Sequence, residues 1–299
     1  MIKTQKSVLG LTLIANVTLS GAAIACEQYD DVVSAVQADD VAKATALYEE
    51  ISVNAGCDDA IREWVADYLA RDAFLTAMSA NSDAEKRENL QTALGYEKHW
   101  RSYYELGHLS WSEKNYGSAA TNFQLAINEL IDGDPSHEAE ESEIAELYQL
   151  ASASMALADA PIEMPRTRSG NVGGIFETKI RGFSVEEVPL PITFEYNSTE
   201  FDEMGATYAD VLVEHLLESA PNSLRLSGHT DPRGDELYNE ELSEARANAL
   251  KEHLLAKGFS GEIEVFGFGE SQLPEPPEGI EPDSEEYFRI ARRVAFQEN

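Results

Sequence analysis

The chain is 299 residues long, which is enough for two domains that each bury a core. Its 55 acidic side chains outnumber the 22 Lys and Arg residues, giving a formal net charge of −33 at pH 7. The acidic residues are spread along the whole sequence rather than gathered in a tail. Such a charge repels nucleic-acid phosphates and anionic lipid headgroups, so the composition argues against both as partners.

Residues 1–25 differ from the rest of the chain. Lys3 and Lys6 precede an apolar run from Val8 to Ala25, which closes on Ala23-Ile24-Ala25. A basic start, an apolar stretch and small residues before the cleavage site are typical of a secretory signal peptide. We therefore predict that residues 1–25 are removed on export, with an uncleaved membrane anchor as the alternative.

The only two cysteines are Cys26 and Cys57, and Cys26 would be the first residue after cleavage. An even number of cysteines in an oxidising compartment predicts a disulfide between them. The alternative is a lipid anchor on Cys26, as in bacterial lipoproteins. Against that alternative, Ala23 stands where lipoproteins usually carry Leu, and lipidation would leave Cys57 unpaired.

Residues 26–160 show no strand alternation and are predicted to form consecutive helices. The segment from Trp100 to Ile131 matches the tetratricopeptide repeat pattern through Leu106, Gly107, Tyr116, Ala119, Phe123 and Ala126. The small residues in this pattern would let two antiparallel helices approach closely. The segment Val33–Ile51 resembles this repeat weakly, Asp59–Ala80 and Ser82–Leu94 are predicted to form another helical pair, and Glu138–Leu157 is predicted as the closing helix. The region is therefore expected to be a tetratricopeptide-like repeat domain, with a generic helical bundle as the alternative.

Residues 161–184 change in composition, with prolines followed by closely spaced glycines. This composition is typical of a linker between domains. We therefore predict four segments: a signal peptide over 1–25, the helical domain over 26–160, the linker over 161–184 and a second domain over 185–299.

Residues 185–299 alternate between strand and helix patterns. Strands are predicted at Ile192–Tyr196, Ser223–Ser227, Ile263–Phe266 and Arg293–Phe296, with helices over Asp202–Ser219, Leu237–Lys257 and Ser284–Phe288. This order predicts a small α/β sandwich with helices on one face of a mixed sheet.

A motif runs from Gly228 to Asp235 and reads Gly-His-Thr-Asp-Pro-Arg-Gly-Asp. Tyr238, Asn239, Leu242, Ser243, Arg246 and Ala247 follow it, and Pro191–Phe194, Gly267–Glu270 and Arg292–Val294 flank it. In this order and spacing, these residues resemble the OmpA-like C-terminal peptidoglycan-binding domain. The resemblance covers about 110 residues and implies binding to the diaminopimelate of the wall stem peptide.

The resemblance places the key acid at Asp231 and the key base at Arg246. The free end of diaminopimelate carries an ammonium beside a carboxylate, so its pocket needs an anion and a planar cation. The alternative for this pair is an internal ion pair. Thr230, Asn239, Leu242, Arg292 and Arg293 are the other predicted binding residues, although Ala291 replaces the Asn that the family commonly has before Arg292.

The sequence therefore predicts a non-catalytic wall-binding protein of the periplasm, with association with the outer membrane as a further option. No cofactor or metal is expected, and His229 beside Asp231 has no nucleophile motif near it. The helical domain is expected to bind an unidentified periplasmic or outer-membrane protein. The alternative function is a cell-wall-modifying enzyme, or a secretion or assembly factor, that uses the C-terminal domain for targeting.

Overall fold

A computed structural model describes residues 26–133, 139–180, 182–185, 187–195 and 197–298. The predicted signal peptide lies outside these residues. The chain divides into two compact units, the first ending at Asp72 and the second starting at Ala73, so the boundary falls within one helix. None of the helices in the described ranges is long and apolar enough to span a bilayer.

The first unit contains α1 (Tyr29–Gln37), α2 (Val41–Val53) and the start of α3 (Asp59–Met78). The sequence predicted a weak repeat unit over Val33–Ile51, and two helices, α1 and α2, occupy this segment. Asp39 adopts a left-handed conformation with φ of 55° and ends α1, while the Asp40 side chain accepts from the backbone of Lys43 and starts α2. Two short helices therefore lie where the weak repeat unit was predicted.

The disulfide between Cys26 and Cys57 is confirmed, and both residues are buried. It joins the segment before α1 to the loop between α2 and α3. Beside it, Asn54 Nδ2 donates to Gln28 Oε1 at 3.0 Å, linking the same two segments.

The second unit begins with the end of α3 and continues through α4 (Asp83–Tyr96), α5 (Trp100–Ser112), α6 (Tyr116–Asp132) and α7 (Glu141–Leu157). Side-chain caps fix two of these starts. Ser82 accepts from the backbone of Glu85 before α4, and Asn115 accepts from the backbone of Ser118 before α6. The predicted helices over Asp59–Ala80 and Ser82–Leu94 are therefore confirmed, within two residues at each end.

Helices α5 and α6 pack through the small residues that the sequence pattern contains. A Cβ atom at Gly107 would collide with the ring of Phe123, which is fully buried. Ala119 and Ala126 on α6 are also fully buried. The close approach predicted for this helix pair is thus present, while the tetratricopeptide assignment of the region stays a prediction.

The predicted linker, residues 161–184, packs against α6. Val172, Ile175 and Phe176 are fully buried, and the last two lie in one turn of 3-10 helix at Gly174–Phe176. Gln124 on α6 accepts from the backbone N–H of Ile175 at 2.8 Å. The segment ends in a small hairpin of β1 (Lys179–Ile180) and β2 (Phe183–Ser184). The division into two domains at this segment stays a prediction.

The remaining elements are β3 (Val188–Leu190), α8 (Glu203–Ser219), β4 (Ser223–Gly228), α9 (Glu236–Ala256), β5 (Glu262–Gly267), α10 (Glu285–Ala291) and β6 (Val294–Glu298). The four-stranded sheet has the order β3-β6-β4-β5, in which β4 and β5 are parallel and the other pairs antiparallel. The predicted fold class, a helix-rich first part followed by an α/β domain with a mixed sheet, is confirmed.

The first strand of this sheet starts earlier than the sequence predicted. The strand is β3 at Val188–Leu190, and Phe194 makes only an isolated bridge to Phe201. Burial at alternate positions begins at Val188 and Leu190 and continues to Ile192, so the period-two pattern does not mark where the strand ends. The strand predicted at Ile192–Tyr196 was therefore wrong, and Tyr196 lies outside the described residues.

Helices α5 and α7 contact the C-terminal part of the same unit. Trp111 Nε1 donates to the carbonyl of Glu278 at 2.9 Å, and Ser152 Oγ donates to the carbonyl of Pro189 at 2.7 Å. Arg289 on α10 donates to the carbonyl of Ala158, which caps α7, at 3.0 Å. One hydrophobic core runs through these elements, from Trp100 on α5 to Phe296 on β6.

Candidate functional site

The motif from Gly228 to Asp235 connects the end of β4 to the start of α9. Asp235 caps α9 by accepting from the backbone of Tyr238 at 3.1 Å. A side chain at Gly228 would collide with the backbone of Ser243, so glycine is required where α9 crosses the strand end. This close crossing places the loop after β4 beside the middle of α9.

The Asp231 carboxylate is held by two arginines. Arg233 donates to it through Nη2 at 2.8 Å, through Nε at 3.1 Å and through its backbone N–H at 3.1 Å, while Arg292 Nη1 donates at 2.6 Å. Burial alone would raise the pKa of this carboxyl. The hydrogen bonds from Arg233 and Arg292 outweigh burial and lower the pKa of Asp231 to about 2.

Arg246 projects from α9 and is buried, with its Nε donating to the carbonyl of Ser198 at 3.1 Å. Its guanidinium lies 5.1 Å from the centre of the Phe194 ring. Burial and the neighbouring Arg292 lower the pKa of Arg246. The alternative of an internal Asp231–Arg246 ion pair is not found in the described ranges, because the carboxylate pairs with Arg233 and Arg292 instead.

A pocket of about 240 Å³ opens beside Arg246, and we call it the arginine pocket. Its lining consists of Ala156, Ile192, Thr193, Phe194, Asp202, Met204, His229, Arg246, Arg289, Arg292 and Arg293. Four of these side chains are guanidinium groups, whereas Asp202 is the only acid. Asp202 already accepts from Thr193 Oγ1 at 2.6 Å and from the backbone of Gly205 at 2.8 Å. The pocket is therefore a cationic site in a strongly acidic chain.

Within the described residues, three of the four pocket arginines donate hydrogen bonds to backbone carbonyls. Arg246 bonds to Ser198, Arg289 to Ala158, and Arg293 to Ala291 and Gln272. Only Arg292 pairs with carboxylates, those of Asp231 and Glu285. Among the residues that the structure describes, Arg246, Arg289 and Arg293 thus have no carboxylate within ion-pair distance.

The other predicted site residues occupy different positions. Arg292 and Arg293 line the arginine pocket, and burial lowers the pKa of Arg293 to about 10. Asn239 lies outside the lining and holds the motif loop, donating to the carbonyl of Arg233 at 3.2 Å and to Glu270 at 2.6 Å. Thr230 is buried, and its hydroxyl has no partner in the described part. Leu242 is half-buried and outside the lining.

His229 and Arg289 are among the pocket residues that were not predicted as binding residues. Both ring nitrogens of His229 are buried and lack a partner within the described ranges, and burial followed by Arg293 lowers its pKa to about 3. The sequence did offer a signal for Arg289, since it directly follows the predicted helix Ser284–Phe288 and precedes Arg292 by three residues. For His229 the available signal was its position inside the motif.

Comparison with known proteins gives a match to the OmpA family over residues 193–285. Outer membrane porin F of Pseudomonas aeruginosa is 34% identical over 92 residues, which cover 29% of this chain and 26% of that protein. The peptidoglycan-associated lipoprotein of Pseudomonas putida is 34% identical over 80 residues, covering 26% of this chain and 48% of that protein. The chain thus spans about a quarter of the porin and about half of the lipoprotein.

Among solved structures, the peptidoglycan-associated lipoprotein from Burkholderia pseudomallei aligns with a TM-score of 0.30 and 24% identity, over 38% of this chain and 91% of that chain. The family match covers the motif from Gly228 to Asp235, the helix that carries Arg246 and the loop that carries Glu270. Residues 193–285 of the chain therefore form an OmpA family domain.

Proposed function

We propose that the OmpA family domain binds peptidoglycan non-covalently, by taking the free end of diaminopimelate in the stem peptide, and that it performs no chemistry on it. Arg246 grips the carboxylate of that end through its two terminal nitrogens. Asp231 accepts from the ammonium. The relative named as a peptidoglycan-associated lipoprotein supports this assignment, and binding to peptidoglycan would place the protein in the periplasm.

The observation that carries the proposal is the unpaired charge of Arg246. Its guanidinium packs against Phe194 and lines the arginine pocket. Its Nε donates to the carbonyl of Ser198. A buried cation without a carboxylate partner is costly, and a ligand carboxylate would offset that cost through two parallel hydrogen bonds. A chain with a net charge of −33 has many carboxylates, yet none of those described pairs with this arginine.

Asp231 needs a rearrangement before it can accept from a ligand. Its carboxylate already accepts from Arg233 and Arg292, and it does not line the arginine pocket. The Arg233 side chain is 53% exposed and also pairs with Glu285, which is itself exposed. We propose that the ligand ammonium takes the place of Arg233, because moving an exposed side chain costs less than moving a buried one.

Replacing Arg246 with alanine is expected to remove retention on purified sacculi, with a loss of about 2–5 kcal/mol in binding free energy. Pulldown of the purified protein with sacculi measures the effect. A soluble stem peptide with meso-diaminopimelate at its third position should release the wild-type protein from sacculi, whereas the same peptide with L-lysine there, which lacks the free carboxylate beside the side-chain ammonium, should not.

The matched control for this test is Arg87→Ala. Arg87 pairs with Glu113 at 2.7 Å at the surface of α4, so its loss removes the same charge from a site outside the pocket. Equal retention of Arg246→Ala and Arg87→Ala on sacculi would contradict the proposed function.

The helices provide the second part of the proposal, which is contact with another protein of the envelope. On α3, Leu75 and Met78 are 60% and 47% exposed. Their spacing of three residues puts them on one stripe of the helix. An exposed apolar stripe is typical of a surface that contacts another protein.

A photo-crosslinking residue placed at Leu75 or at Met78 is expected to trap the same partner in cells. The control position is Glu88 on α4, which is exposed and lies outside the stripe. Identification of the adducts by mass spectrometry measures the outcome. Trapping at Glu88 with the same yield would show that the stripe is not the contact surface.

A further inference from the structure

Arg289 lines the arginine pocket and also contacts the end of helix α7. It lies on α10, and its Nη2 donates to the carbonyl of Ala158 at the end of α7. Ala156, in the last turn of α7, lines the same pocket. The pocket thus includes one residue of α7, a helix that lies outside the residues that match the OmpA family.

The pocket holds more positive charge than a single carboxylate can neutralise. Once Arg246 has taken a carboxylate, Arg289 and Arg293 still lack a carboxylate partner among the described side chains. These two remaining guanidinium groups favour a ligand with at least two carboxylates, because a guanidinium binds a carboxylate strongly where water is partly excluded.

His229 gives an independent indication that a ligand group enters the pocket. Its side chain is 2% exposed, it lines the pocket, and neither ring nitrogen has a partner in the part of the chain described. An unsatisfied buried polar group destabilises the folded state. At neutral pH the ring is uncharged, so it offers one N–H donor and one acceptor nitrogen. A ligand oxygen that accepts from the N–H would remove part of that cost.

We infer that the arginine pocket contains a second anion subsite, formed by Arg289, Arg293 and His229, that takes a second carboxylate of the same stem peptide. This inference rests on the proposed function and adds a specificity determinant to it. An uncrosslinked stem peptide offers two candidates near diaminopimelate. One is the α-carboxylate of the preceding γ-linked D-Glu, and the other is the C-terminal carboxylate of the following D-Ala.

The test uses the synthetic tetrapeptide L-Ala-γ-D-Glu-meso-diaminopimelate-D-Ala and two derivatives, one amidated at D-Glu and one at the C-terminal D-Ala. Binding to the full chain is measured by fluorescence polarisation. The wild-type protein should bind one amidated derivative about tenfold more weakly than the parent, which identifies the carboxylate. Arg289→Gln should bind the parent about tenfold more weakly and no longer distinguish it from that derivative.

The control variant is Lys114→Gln. Lys114 pairs at 3.3 Å with Glu286, which lies on α10 as Arg289 does. Lys114 does not line the pocket. It should bind all three peptides as the wild type does. Glutamine at position 289 keeps a donor for the Ala158 carbonyl, and thermal unfolding checks that the fold is retained.

The outcomes separate this inference from the proposed function. If Arg289→Gln binds and discriminates like the wild type while Arg246→Ala loses all three peptides, the second subsite is wrong and the proposed function stands. If Arg246→Ala binds the peptides as the wild type does, the proposed function fails and the second subsite fails with it.

Discussion

Asp231→Ala is expected to lose retention on sacculi and also to unfold more readily than the wild-type protein. The binding loss is expected to reach about 2–5 kcal/mol, because the ligand ammonium would have no acceptor and Arg246 would act alone. The stability loss has a separate cause. Removal of the carboxylate leaves Arg233 and Arg292 without their buried partner, so two guanidinium groups face each other with less compensation.

The pH dependence of unfolding isolates the structural part of this effect. The pKa of Asp231 is lowered to about 2 in the folded protein, against about 3.9 in an unfolded chain. A carboxyl with a lowered pKa stabilises the folded state above the unfolded pKa, and this contribution is lost as the pH falls through the folded pKa. We expect a difference of about 2 kcal/mol between wild type and variant at pH 7, which vanishes between about pH 4 and pH 2.

Glu285→Ala is the matched control for Asp231→Ala. Glu285 pairs with the same two arginines, at 3.0 Å to Arg233 and 3.4 Å to Arg292, but its side chain is 61% exposed. Exposed ion pairs contribute about 0–1 kcal/mol, so this variant should keep nearly all of the stability. Equal losses for the two variants would show that Asp231 contributes no more than a surface charge does.

Local signals made most of the helices predictable from the sequence. The starts of α4 and α6 depend on Ser82 and Asn115, whose side chains bond to backbone groups three residues ahead. Such signals need only a few neighbouring residues. The position of the first sheet strand was not predictable in this way, because the alternate burial of Val188, Leu190 and Ile192 extends beyond the residues that pair with β6.

The partners of Asp231 illustrate why the site could be predicted only in part. The motif indicated the residue itself, and Arg233 follows it in the chain. Arg292 lies 61 positions away and reaches the carboxylate only because α10 and β6 return to the end of β4. Residue spacing in one sequence does not reveal such a contact. The sequence therefore predicted Asp231 as a free acid opposite Arg246, whereas in the structure it is bound to two arginines.

The contribution of α7 to the pocket was equally hidden. Arg289 and the carbonyl of Ala158 are 131 positions apart, and residues 161–184 between them have the composition of a flexible linker. Their composition did not reveal that Gln124 and Asn128 on α6 bond to the backbone of this segment. These buried amides hold the segment against α6. Ala156, in the last turn of α7, lines the arginine pocket.

Cys57→Ser, combined with Cys26→Ser, is expected to lower the stability of α1 and α2 by about 3–4 kcal/mol, as calculated from the loop entropy that the disulfide removes from the unfolded chain. The disulfide closes a loop with a sequence separation of 31 that contains both helices. These helices have 9 and 13 residues, which is too short for either to be stable alone in water. The crosslink therefore supplies a large share of the stability of this part of the chain.

Hydrogen exchange followed by mass spectrometry measures this effect locally in the full chain. Peptides from α1 and α2 should exchange about a hundredfold faster or more in the double variant, because each 1.4 kcal/mol of opening free energy corresponds to a factor of ten. Peptides from α9 are the internal reference. Reduction of the wild-type protein should reproduce the variant, since the same crosslink is lost. Unchanged exchange in α1 and α2 would mean that the hydrogen bond between Asn54 and Gln28, with the burial of Val32, Leu47 and Ile51, is enough to hold the two helices together.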